Sequence, residues 1–156
     1  MHGGAGEQAV ELYLALDAAG PDRFSAALDA WRAARGRFVP GFGHRFHKPV
    51  DPRAPRLLAL VDEAAEAGAV DGRHTAAARW SEARLDAERG KPVPMNIDGA
   101  TAVIFAELGC PPPLARGFFC LSRAVGALAH AWEQTQQGGR NKGPTPPAYR
   151  WTYDGR

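Results

Sequence analysis

Apolar positions in this chain recur at steps of three and four, the spacing that lines one face of a helix. Alternating β-branched runs are nearly absent. Ala9, Val10, Leu12, Tyr13 and Leu16 fit a first helix that closes at Gly20 and Pro21. A second, opened by Asp22 or Ser25 as cap, runs through Leu28 and Trp31 to about Arg35. Residues 36–54 read as a long loop rich in proline, glycine and histidine. A third helix spans about 55–67, with Pro55 in its first turn, where a missing N–H costs nothing. Residues 72–89 form a fourth, polar on most of its circumference, and Gly90-Lys91-Pro92-Val93-Pro94 breaks it. A fifth covers about 98–108 and ends at Gly109 and three prolines. The longest spans about 113–137, where Leu114, Phe118, Leu121, Val125, Leu128 and Trp132 make a stripe that requires a packing partner. Arg116, Arg123 and His130 form a second line on it at seven-residue steps. The expectation is an all-α domain over residues 1–137 and an extended arm over 138–156, with chemistry on the loops. The arm is too rich in proline and glycine to form a core alone, so it should lie on another domain or subunit.

Composition narrows the partners. Nineteen basic and 17 acidic residues leave a net charge of +2, which argues against a nucleic acid or a membrane surface as the main partner. No run approaches the length of a membrane span, and the first residues lack the basic and apolar regions of a signal peptide. Cys110 and Cys120 sit in apolar sequence and read as buried thiols of a cytoplasmic protein. The five histidines and two cysteines show no metal-ligand spacing, so no metal is expected. His74 reads as a solvated residue of a polar helix, and His130 as a packed helix histidine.

Three polar segments stand out. His2-Gly3-Gly4-Ala5-Gly6-Glu7 places a histidine ahead of a small-residue helix start, a geometry that favours developing negative charge. Read alone, it is more simply a disordered beginning before a helix. Residues 40–53 crowd His44, Arg45, His47, Lys48 and Arg53 into a loop framed by proline and glycine. That density suits an anion, since arginine clamps carboxylates and lysine reaches phosphates; the alternative is a solvated basic loop. In Pro94-Met95-Asn96-Ile97-Asp98-Gly99-Ala100, Asp98 is either the N-cap of the fifth helix or a carboxylate beside a ligand space.

Together with Ser122-Arg123-Ala124-Val125-Gly126-Ala127-Leu128-Ala129-His130, these segments resemble the citrate synthase superfamily in order and separation. That superfamily includes citrate synthases, methylcitrate synthases and citryl-CoA lyases. The resemblance implies the small helical domain of that fold with its return helix and arm, the large domain lying outside the sequence. It implies that His2 hydrogen-bonds the thioester carbonyl as it becomes an enolate, that Asp98 removes the methyl proton, and that His44 binds and protonates the oxaloacetate ketone. Arg53 and Arg123 are implied to hold oxaloacetate or citrate carboxylates, and Lys48 to stand near a CoA phosphate. Val39, Pro40, Gly41, Phe42 and Gly43 resemble the loop that recognises the CoA adenine through backbone groups. No cofactor is implied beyond the CoA thioester, which is substrate.

Such roles make physical sense. A thioester methyl is a very weak acid, and one positioned donor to the enolate oxygen contributes about 2.7–4 kcal/mol in the transition state. The assignment requires two imidazoles and one carboxylate to converge around a pocket. Departures from the family pattern appear at Gly99-Ala100-Thr101, at His44-Arg45-Phe46-His47-Lys48 and in the tyrosine-containing end, where Arg150 stands near the place of an Arg-Pro-Arg segment. They lean toward the citryl-CoA lyase branch. Because the large domain is absent, the chain is expected to be a C-terminal fragment, an incomplete gene product or half of a split enzyme. The full form is expected to be a homodimer or to use a large-domain partner. An enzyme, a CoA-binding module without turnover and a structural remnant remain the three competing readings.

Overall fold

The computed structural model describes residues 4–138. The chain divides into two compact units, residues 1–121 and 122–156. The first contains α1 (Gly4–Ala19), a 3-10 turn (Pro21–Arg23), α2 (Phe24–Arg35), α3 (Arg53–Glu66), α4 (Arg73–Arg89), α5 (Ile97–Glu107) and the start of α6 (Pro112–Gln137). The all-α expectation holds: among the described residues the extended pairing amounts to an isolated antiparallel bridge between Phe42 and Met95.

The core lies where α1 packs along α5, with α2 and α4 also against α1 and α3 against α5. Val10, Leu12, Tyr13 and Leu16 are fully buried, as the three- and four-residue spacing predicted. From α5 they meet Ala100, Ala102, Val103 and Ala106, small side chains that allow two helix backbones to lie close. Each buried aliphatic side chain contributes roughly 1.5–3 kcal/mol. Across the outside, Glu88 of α4 takes both Arg32 of α2 (2.7 and 2.9 Å) and Arg84 (2.6 Å), and these bonds hold its carboxyl down at about 2.

Two local readings change. Neither Asp22 nor Ser25 caps α2: the 3-10 turn precedes it, and the Ser25 hydroxyl accepts instead from Arg84 at 3.0 Å. Helix α4 is not a solvated polar helix either. It buries His74, Thr75, Ala77, Ala78, Ser81 and Leu85, small or polar residues that a hydropathy pattern passes over. The helix packs on α1 and α5, and at its start the carboxylate of Glu107, at the far end of α5, accepts from the backbone N–H groups of Gly72 (3.1 Å), His74 (2.8 Å) and Thr75 (3.2 Å). It supplies from another helix the cap that Gly72 lacks. His74 is thereby drawn inside, 3% exposed, with Nδ1 3.5 Å from Glu107 and Nε2 3.9 Å from Asp17.

Helix α6 starts on the core through Ala115 and through Phe118, whose ring lies 5.4 Å from that of Phe105. Its second half, in the second unit, is solvent-facing: Val125, Leu128 and Trp132 are exposed, as is His130, which stands 3.5 Å from Glu133 rather than packed. Cys120 is likewise exposed and Cys110 half-buried, so the expected burial of both thiols does not hold. Leu121 beside Cys120 is exposed as well. None of the described helices is long and apolar enough to cross a membrane.

Candidate functional site

The predicted loop and the predicted helix start are laced to each other by backbone. At Phe42 and Met95 the segments run antiparallel; Gly43 N–H donates to Pro94 O (2.7 Å) and Asn96 N–H to Gly41 O (2.9 Å). Gly41, at φ +88°, and Gly99 meet directly: a Cβ on Gly41 would stand 2.7 Å from Gly99 Cα, and one on Gly99 would strike the Gly41 carbonyl oxygen. The glycines that suggested room for a ligand therefore serve a backbone-to-backbone approach. From behind, α4 holds the 93–95 segment, with Asp86 accepting from Val93 N–H (2.7 Å) and Glu82 from Met95 N–H (2.6 Å).

Asn96, not Asp98, caps α5. Its Oδ1 accepts from the N–H groups of Asp98 (3.0 Å) and Gly99 (3.1 Å), while its Nδ2 donates to Gly43 O at 2.9 Å. Asp98 stands at the second helical position, half-buried. An asparagine directly before an apolar helical run is itself an N-cap signal, and it was legible.

In the loop, His44 Nδ1 accepts from the N–H groups of Phe46 (3.1 Å) and His47 (3.0 Å). Nδ1 thus closes a tight turn of the loop as an acceptor. His47 stacks on His44, centroids 4.4 Å apart. Beyond them Asp51, fully buried, binds Arg53 through both oxygens: Nε to Oδ1 at 2.9 Å and the terminal nitrogen to Oδ2 at 2.7 Å. Arg53 holds the Asp51 carboxyl down at about 2. The guanidinium in turn is pushed above its usual range, first by its bonds to Asp51 and also by the charge of Asp98. Asp51 thus orients an arginine whose side chain is 45% exposed. Asp51 was not singled out from the sequence, because an i, i+2 acid–arginine pair is common in solvated loops.

His44, His47 and Asp51 bring ligand-type atoms within 4.8 Å of one another. Both Asp51 oxygens and one His44 nitrogen are already hydrogen-bonded, so the trio is a polar junction rather than an open set of ligands.

The remaining predicted residues divide. Val39 and Gly41 are buried, Pro40, Phe42 and Gly43 half-buried, and Lys48 is exposed. Gly41 O, Gly43 N–H and Gly43 O each hold an internal bond to residues 94–96. Arg123 lies in the second unit with its side chain exposed, and His2 and Arg150 fall outside the described residues. Two cavities lie elsewhere: one of about 510 Å³ between the start of α3, α4 and residues 92–95, and one of about 210 Å³ at the C-terminal ends of α3 and α5. None of the predicted site residues lines either.

Known proteins resemble the chain in sequence and in fold. A citrate synthase from Acidithiobacillus ferridurans is 30% identical over 141 residues, covering 86% of this chain and 34% of the relative. One from Haloferax volcanii is 32% identical over 134 residues, with the same coverage. The chain therefore spans about a third of the length of the curated relatives it matches. Among solved structures, a citryl-CoA lyase from Hydrogenobacter thermophilus superposes with a TM-score of 0.69 at 25% identity, covering 94% of this chain and 60% of that one. A Thermoplasma acidophilum citrate synthase, solved as a ternary complex with carboxymethyl coenzyme A and oxaloacetate, gives 0.70 at 23% identity over 97% of this chain and 41% of that one, a likeness of fold. Residues 1–146 match the family described as "Citrate synthase, C-terminal domain", and with the helices and loops arranged as above, the chain belongs to the citrate synthase family.

Proposed function

We propose that the chain makes or breaks a carbon–carbon bond beside a CoA thioester, condensing acetyl-CoA with oxaloacetate to citrate or cleaving citryl-CoA to acetyl-CoA and oxaloacetate. In this reading Asp98 takes the methyl proton and His44 donates from Nε2 to the ketone oxygen. Arg53 and Arg123 bind carboxylates, Lys48 lies by a CoA phosphate, residues 39–43 face the adenine, and His2 donates to the enolate oxygen. The observation that carries the reading is the joining of the His44 loop to the start of α5, with the Arg53 guanidinium under the charge of both Asp51 and Asp98. A fixed cation beside the base suits a dicarboxylate, and holding two reactants in register removes much of the entropic barrier.

The relatives carry about two-thirds of their length beyond the matching stretch, and the partner in this reading is the large-domain portion of the fold, within a homodimer. Support comes from Val125, Leu128 and Trp132, exposed on α6 at a spacing that seeks an apolar counterpart. A cytoplasmic setting fits the two unpaired cysteines.

The test supplies acetyl-CoA with oxaloacetate, and separately citryl-CoA, and follows free thiol and oxaloacetate. We expect turnover that falls at least 100-fold in Asp98→Ala and in His44→Ala, with melting temperatures close to the parent. Unchanged rates in those variants sink the assignment. Micromolar CoA binding without turnover selects instead the binding module.

A further inference from the structure

Any good N-cap would satisfy the start of α5, and serine, threonine or aspartate would serve as well as asparagine. The carboxamide at position 96 does more than cap. Its Oδ1 fixes the first turn through Asp98 N–H and Gly99 N–H, and so fixes the direction in which the Asp98 side chain leaves the helix. Its Nδ2 donates to Gly43 O, the carbonyl of the peptide that leads into His44. One rigid, uncharged group therefore bonds both elements at once. Acid–base groups on separate segments need such a bond, because a misplacement of about 1 Å costs about 100-fold in rate.

We infer that Asn96 is a positioning residue that sets the reach between Asp98 and His44, an inference that rests on the acyl-CoA reading above. Its capping oxygen serves the helix, and its amide nitrogen serves the geometry of the site. The backbone bonds Asn96 N–H to Gly41 O and Gly43 N–H to Pro94 O hold the two segments together, while the side chain orients the peptide entering His44.

Asn96→Ser separates the two duties, since serine keeps a capping oxygen and lacks the amide donor; Asn96→Ala removes both. In the full chain, NMR reads amide exchange at Asp98 and Gly99 and the carbonyl carbon shift of Gly43, beside kcat and KM for acetyl-CoA. The Gly43 carbonyl accepts the Asn96 Nδ2 bond, whereas the Gly43 N–H is held by Pro94 O and does not report on that side chain. The serine variant should keep Asp98 and Gly99 exchange within threefold of the parent while the Gly43 carbonyl carbon shift moves. Its kcat should fall at least tenfold with KM within twofold, and the alanine variant should also lose protection at Asp98 and Gly99. A serine variant with parental kcat and a parental Gly43 carbonyl shift overturns the inference. So does one that loses protection at Asp98 and Gly99, which would make the residue a cap alone. If the parent chain shows no turnover, the acyl-CoA reading fails, and the Gly43 carbonyl still decides whether the side chain ties loop to helix.

Discussion

The α1–α5 interface and the junction of residues 41–53 with 93–98 belong to one compact unit, yet different forces hold them. Between the helices, aliphatic side chains are removed from water, an effect proportional to area and indifferent to direction. At the junction the contacts are hydrogen bonds, a buried ion pair and two glycines in van der Waals contact, all of them directional. The first region determines whether the chain folds. The second determines where His44, Arg53 and Asp98 stand. Substitutions should separate stability from placement accordingly.

Leu16→Ala, in the fully buried stripe, should have the largest effect on stability, lowering the unfolding free energy by about 2–5 kcal/mol in urea denaturation. Exchange rates at the Gly43 amide under native conditions should barely change. Gly99→Ala should cost less, about 1–3 kcal/mol, because the added methyl meets the Gly41 carbonyl and the loop gives way rather than the core. It should also displace His44, so kcat should suffer more than stability does, whereas equal effects on both would erase the distinction between the regions.

The smallest effect is electrostatic. The Asp51 carboxyl, at about 2 when folded against 3.8 as its ordinary value, is lowered by folding. Its contribution is therefore complete above roughly pH 4 and drains away as pH falls toward about 2. Glu88 behaves alike, at about 2 against 4.5. Melting temperature should fall more steeply between about pH 4 and pH 2 in the parent than in Asp51→Asn or Glu88→Gln. Parallel curves would mean that these pairs exist equally in the unfolded chain.

The amino-acid pattern revealed the helices wherever large apolar residues set the spacing, as in α1 and along α6. It misread α4, whose buried face is mostly alanine, serine, threonine and histidine packed against α1 and α5, and whose first turn is capped by Glu107 from a distant helix. At the candidate site, His44 and Asp98 were nominated through family resemblance, and the residues alone had left Asp98 balanced between cap and ligand group. Asn96 takes the capping role, and its second bond, to Gly43 across 53 residues of sequence, depends on folding that no local pattern encodes. Asp51 was passed over for the same reason: its burial, not its identity, turns it into a fixed brace for Arg53.

Both ends of α5 are tethered, one by Asn96 to the loop before His44 and the other by Glu107 to the start of α4. Eleven residues make a strut about 16 Å long, stiff at that length. A displacement of the loop that travels through the Asn96 bond pulls on the rod and on its anchorage at the far end. The site is therefore mechanically geared to a helix terminus a full strut-length away, and slack introduced at Glu107 should be felt as looseness at Asp98.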